Sequence, residues 1–174
     1  MLKGTSISLR PVHEGDLDVL YARHVDVENR GHFFPRRIVS EVTLRKRFRE
    51  DGFWSNENGM LLMVNEDDEI LGHIEFFRTV NYLDEVELSY IVYAAEHRRQ
   101  GIASQAVDLM VRYLFETNKF NRIRLIIHPE NTPSRRVAEK CGFTHEGTAR
   151  GAWYNRGKMH DVEVYAILRN EVIG

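Results

Sequence analysis

At Gly101 the hydrophobic pattern of this 174-residue chain changes period, and that change leaves few folds open. Before it, Glu85 to Tyr93 reads as a strand, with successive side chains on opposite faces. After it, Ile102, Ala106, Leu109, Met110, Tyr113 and Leu114 recur at three and four residues while Asp108, Arg112 and Glu116 fall elsewhere, the pattern of an amphipathic helix. Leu125-Ile126-Ile127 is too short and too β-branched to favour another helix, and Pro129 limits its continuation, so a buried strand is expected. Strand, helix and strand in succession predict a mixed α/β domain.

The flanking segments agree. Thr5 to Arg10 alternates and should stop at Pro11, a helix should carry Leu17, Leu20 and Tyr21, and Ser40 can cap a helix whose Val42, Leu44 and Phe48 make apolar contacts. Met60 to Val64, Ile70 to Phe77 and Glu85 to Tyr93 predict an antiparallel meander with an acidic turn at Glu66-Asp67-Asp68. A further helix runs from Asn131 to Gly142, with Asn131 or Thr132 as cap, and strands fit Phe143 to Ala149 and Asp161 to Leu168. With no repeat, linker or composition break, residues 1–174 are expected to form a single domain.

A net charge of −2 offers no general attraction to DNA or to an anionic membrane, so neither is an expected partner. No apolar run approaches the roughly 20 residues that span a bilayer. One cysteine, Cys141, permits no internal disulfide, and a reducing cytoplasm is the expected location. The eight histidines show no compact ligand spacing, so no metal is expected.

The chemistry concentrates at Arg98-Arg99-Gln100-Gly101-Ile102-Ala103-Ser104, between a strand and a helix. A helix start presents unpaired N–H groups and the positive end of the backbone dipole, and small residues at Gly101 and Ala103 let an anion approach the backbone. The segment lacks the Gly-Lys-Ser/Thr ending of a P-loop and the Gly-x-Gly-x-x-Gly of a dinucleotide turn.

Arg98 to Ala103 matches Arg/Gln-x-x-Gly-x-Gly/Ala, the signature of the GNAT superfamily of acyl-coenzyme A-dependent N-acetyltransferases, which this sequence resembles. Asn131-Thr132-Pro133-Ser134, Lys140-Cys141-Gly142-Phe143 and Glu146-Gly147 extend the likeness. Ile7 to Pro11 and His160 to Tyr165 resemble the branch of ribosomal-protein N-terminal acetyltransferases and spermidine acetyltransferases. The resemblance implies a mostly antiparallel sheet of about seven strands with flanking helices and one splayed parallel pair, between which pantetheine lies. Acetyl-CoA is the implied cosubstrate. Backbone groups of Ile91, Val92 and Tyr93 would pair with it, Arg99 to Ser104 would hold its pyrophosphate with Arg98 also in the cofactor site, and Asn131 and Ser134, otherwise helix caps, would approach its pantetheine or thiol end.

Glu87 matches the strand glutamate used as base, directly or through water, in several members, although a solvated strand carboxylate explains it equally well. A strand N–H near Val92 would stabilise the carbonyl oxygen. Spermidine acetyltransferases place a thiol-protonating tyrosine where this chain has Ala138; Ser134 matches the serine given that role in ribosomal-protein acetyltransferases, with Tyr154 or Cys141 as alternatives. Arg135-Arg136 could meet a 3′-phosphate or merely face solvent. His32-Phe33-Phe34-Pro35 and Trp153-Tyr154 could flank the acceptor. That acceptor is expected to be a protein or peptide N-terminus; a polyamine, amino sugar or antibiotic amine, or a non-catalytic acyl-CoA sensor, are the alternatives. An acidic cleft built from Asp84, Glu85, Glu87 and Glu146 would favour polycations. Relatives often dimerise, which leaves a homodimer open.

Overall fold

In the computed structural model, which describes residues 1–27, 31–35 and 37–173, the strands form one sheet in the order β1-β2-β3-β4-β5-β6-β8-β7. They are Leu2–Lys3 (β1), Ser8–Pro11 (β2), Asn58–Val64 (β3), Ile70–Phe77 (β4), Glu85–Val92 (β5), Arg122–Ile127 (β6), Thr144–Asn155 (β7) and Lys158–Leu168 (β8). The eighth strand beyond the expected seven is the two-residue β1. β3, β4 and β5 form the expected meander, and β5 pairs with β6 in parallel, the remaining contacts being antiparallel. A parallel pair needs a long crossover, and Ile102–Thr117 (α3) supplies it.

Alternation along β3 sorts the helices onto two faces. Leu61 and Met63 join the larger core with Ala106, Met110 and Leu114 of α3. Met60, Leu62 and Val64 point the other way, into a smaller core with Leu17 and Leu20 of Leu17–Val25 (α1) and Leu44 of Glu41–Asp51 (α2). Thr132–Lys140 (α4) buries Ala138 on the α3 side, and Arg169–Val172 (α5) follows β8.

Three expectations need adjustment. β2 begins at Ser8 because Gly4 to Ile7 form a turn, whose Thr5 and Ser6 N–H groups donate to the Gln105 side chain; Pro11 lies within β2, opposite Leu61 but beyond the short β1, where no ladder donor is required. Val42 is 76% exposed, because Leu44 and Phe48, one turn apart, define the buried face of α2. The last hairpin reaches Asn155 and Lys158, closed by Arg156 and Gly157, both at positive φ as a tight two-residue hairpin turn requires. Among the described residues no helix is long and apolar enough to cross a membrane.

Candidate active site

The glycine turn combines left-handed backbone with the unpaired amides of a helix start. Gly101 has φ 80°, in the left-handed region, and a Cβ there would meet nothing within 4 Å, so conformation and open access, rather than packing, favour glycine. Arg99, also left-handed at φ 64°, adds strain of the kind found at ligand-binding turns. Gln105 N–H donates to the Gly101 carbonyl as the helix begins, so the amides of Ile102, Ala103 and Ser104 precede any intrahelical partner. The long side chains brace the turn: Arg98 reaches the Val92 and Tyr93 carbonyls at 3.4 and 3.3 Å, and Gln100 Nε2 donates to Glu96 O at 2.7 Å. The Arg98 and Gln100 side chains are therefore engaged with the local backbone, where the sequence suggested direct contact with an anion.

The parallel strands part beside this turn. Pairing between β5 and β6 covers Glu85↔Arg122, Val86↔Ile123 and Glu87↔Arg124 and goes no further, although β5 stays on β4 to Val92 and β6 stays on β8 to Ile127. Tyr93 N–H donates to Leu71 O, and antiparallel alternation then commits the amides of Ile91 and Ser89 to β4 as well. The backbone edge open toward the gap belongs to Leu88, Tyr90 and Val92. Val92 thus lies on the open edge, whereas the amides of Ile91 and Tyr93 are taken by β4 and the Tyr93 carbonyl accepts from Arg98. Tyr93 instead bonds His73 Nδ1 through its hydroxyl at 2.7 Å.

A cleft of about 310 Å³ runs through this gap, lined from both faces of the sheet. Glu75, Glu87 and Ser89 come from the α1–α2 face, and Tyr90, Asn131 and Ser134 from the α3–α4 side. Glu87 Oε2 accepts from Arg124 Nε and Nη2, each at 3.2 Å, while Oε1 has no hydrogen bond among the described residues. Burial raises the Glu87 pKa, Arg124 opposes the shift, and Glu85 adds to it. Glu85 is 6% exposed and accepts from Arg124 and Arg122, and Arg122 also pairs with Glu146. The acidic residues singled out in the sequence thus include three already neutralised by two arginines. Asp84 is exposed and takes Asn121 N–H on its carbonyl.

On the other wall, Tyr90 and Ser134 hydroxyls lie 2.8 Å apart. Burial pushes the Tyr90 phenol up to about 12, so it is a proton donor throughout the physiological range. Strand alternation sets Tyr90 on the face opposite Glu87, and the strand gap lets that face reach the cleft. Asn131 caps α4, its side chain accepting from Ser134 N–H at 3.3 Å, so capping and cleft lining coincide. Burial pushes the Cys141 thiol up to about 11, and it donates to Ser104 O at 3.4 Å.

The mouth is aromatic. Phe33 and Phe34 line it, with Phe33 5.0 Å from His128, whose ring lies 5.9 Å from Trp153. His160 Nε2 donates to Asn155 O, so its Nδ1 accepts from His128 Nε2–H, and His128 Nδ1 accepts from Glu130 N–H; this chain fixes both tautomers. Tyr154 is 69% exposed and turned outward by hairpin alternation, so it neither flanks the cleft nor reaches the thiol end. Arg135 pairs with Glu163 and donates to Pro129 O while staying partly exposed, and Arg136 faces solvent. Among the described residues no group of three potential ligands could hold a metal. Glu75, Tyr90, Arg124 and His128 were not singled out in the sequence. Tyr90 and Arg124 lie in the two strands flanking the gap, Glu75 in β4 and His128 just past β6, and their nearness acquires meaning only once the register is known.

The acetyltransferase (GNAT) domain family matches residues 6–144. An uncharacterized N-acetyltransferase of Bacillus subtilis, YoaA, is 32% identical over 97% of both chains. The ribosomal-protein-serine acetyltransferase of Escherichia coli is 26% identical, covering 76% of this chain and 74% of its own. The crystal structure of Vibrio cholerae spermidine N-acetyltransferase in complex with CoA and spermine superposes with a TM-score of 0.84 at 20% identity, covering 98% of this chain and 100% of that one. The chain belongs to the GNAT acetyltransferase family and is an acyltransferase.

Proposed function

We propose that residues 1–174 act as one N-acetyltransferase domain that moves the acetyl group of acetyl-CoA to a primary amine by direct attack, with a protein or peptide N-terminus as acceptor. The observation that carries this reading is the cleft through the splayed strands, which brings Glu87 from one face and the Tyr90–Ser134 pair from the other to a single opening. The residues fit the cosubstrate: unpaired amides at the start of α3 suit a pyrophosphate, and the free edge of Leu88, Tyr90 and Val92 suits an amide-bearing arm. The bound cosubstrate supplies an acyl group activated as a thioester.

The chain's own groups then divide the work. Glu87 Oε1 takes one proton from the incoming ammonium, directly or through water, and its burial makes it a better base than an exposed carboxylate. The Val92 N–H faces the gap and stabilises negative charge on the carbonyl oxygen. As the N–C bond forms and the C–S bond breaks, the second amine proton must end on sulfur. Ser134 gives its hydroxyl proton to sulfur and takes the second amine proton in return, while the Tyr90 hydroxyl, 2.8 Å away, hydrogen-bonds the serine oxygen and keeps its own proton. The protein-directed acceptor is favoured by the ribosomal-protein-serine relative, aligned over most of this chain.

An assay of free thiol release tests the reading with acetyl-CoA and three acceptor sets: peptides with a free N-terminus, the same peptides blocked, and polyamines. Release with free but not blocked peptides is expected. Release with polyamines alone would overturn the acceptor.

A further inference from the structure

Register places Glu75 directly opposite Ser89 and diagonally from Glu87 on the cleft face of the sheet. Glu85, Glu87 and Glu146 each bond Arg122 or Arg124, whereas the half-buried Glu75 carboxyl has no hydrogen bond or ion pair among the described residues. The charged groups acting on it are Arg47 of α2, at a distance, and Glu87. Burial is the larger influence and raises its pKa, and the neighbouring carboxylate adds to the rise. A carboxyl held in a cleft without its own cation is unfavourable unless a ligand supplies one.

We propose that Glu75 is the acceptor-binding carboxylate, receiving the amine as its ammonium ion and holding it beside Glu87. This assignment rests on the acetyl-transfer reading above and adds the form in which the acceptor is recognised. Free α-amino groups and alkylamines are largely protonated near neutrality, so the cation is the abundant form. Glu87, occupied on one oxygen by Arg124, is left for proton removal; Glu75 supplies the uncompensated charge that draws the amine in.

The test is a steady-state comparison of wild type and Glu75→Gln with whichever amine the wild type acetylates, alongside coenzyme A titration and thermal melting. The expected result is a rise in KM for the amine of about ten-fold or more, with kcat within about three-fold and coenzyme A affinity unchanged. The wild-type KM should climb with salt while that of the variant stays nearly flat. Glu75→Gln should melt at the wild-type temperature or above, because it removes a half-buried charge. An amine KM within two-fold of wild type would overturn the assignment. So would a lowered melting temperature with parallel loss of coenzyme A affinity, which marks a structural role. Failure of the wild type to bind coenzyme A would instead remove the acetyl-transfer reading itself, and this assignment with it.

Discussion

The two ends of the β5–β6 region are made from different materials. The end toward Gly101 is main chain: helix amides, a left-handed turn and the open edge of Leu88, Tyr90 and Val92. The end toward β4 and the last hairpin is side chain: Glu75, Glu87 on Arg124, Phe33, Phe34 and Trp153. Backbone recognition demands particular φ values and small residues, which leave a mark in sequence. Side-chain recognition depends on which residues the register brings together, and many sequences can do that. In the proposed reaction the first end would take the constant phosphate-bearing ligand and the second the variable acceptor.

The contrast breaks most visibly at Gly101. Gly101→Glu sets a side chain at φ 80° and an anion where one should bind, so coenzyme A affinity should fall on the order of 100-fold by calorimetric titration, with the fold retained. Glu87→Gln should leave that affinity intact and lower kcat by about 100-fold in thiol-release kinetics. The same variant sharpens the pH dependence. Because burial raises the Glu87 pKa, the carboxylate needed as base is lost as pH falls through a value above the ordinary range for glutamate. The acid limb of kcat should therefore lie higher than for a solvated carboxylate and vanish in Glu87→Gln. Ser134→Ala should cost about ten-fold in kcat with little change in either KM. Tyr154→Ala, on the outward face, should leave acetylation rates within about two-fold of wild type.

The change of period at Gly101 was enough to locate α3 and the strands on either side, because burying one stripe of a helix against a sheet requires that spacing. The Asn131 cap and Gly142 stop were equally local. Less visible were features created by pairing. Nothing in the order of Glu85, Glu87, Arg122 and Arg124 states that they sit side by side until β5 and β6 are aligned in parallel. Tyr90 was assigned to the correct face but its access to the cleft depends on where pairing stops. Tyr154 failed as a site residue because the β7–β8 ladder extends past it, and a two-residue turn at Arg156-Gly157 is a weak signal beside the long polar stretch preceding it.

The position of coenzyme A in a co-crystal tests the account most directly. Its pyrophosphate is expected on the amides of Ile102, Ala103 and Ser104, its pantetheine along Leu88 to Val92, and its sulfur within reach of Ser134. A well-ordered coenzyme A bound outside the β5–β6 gap, with the Gly101 turn vacant, would contradict it.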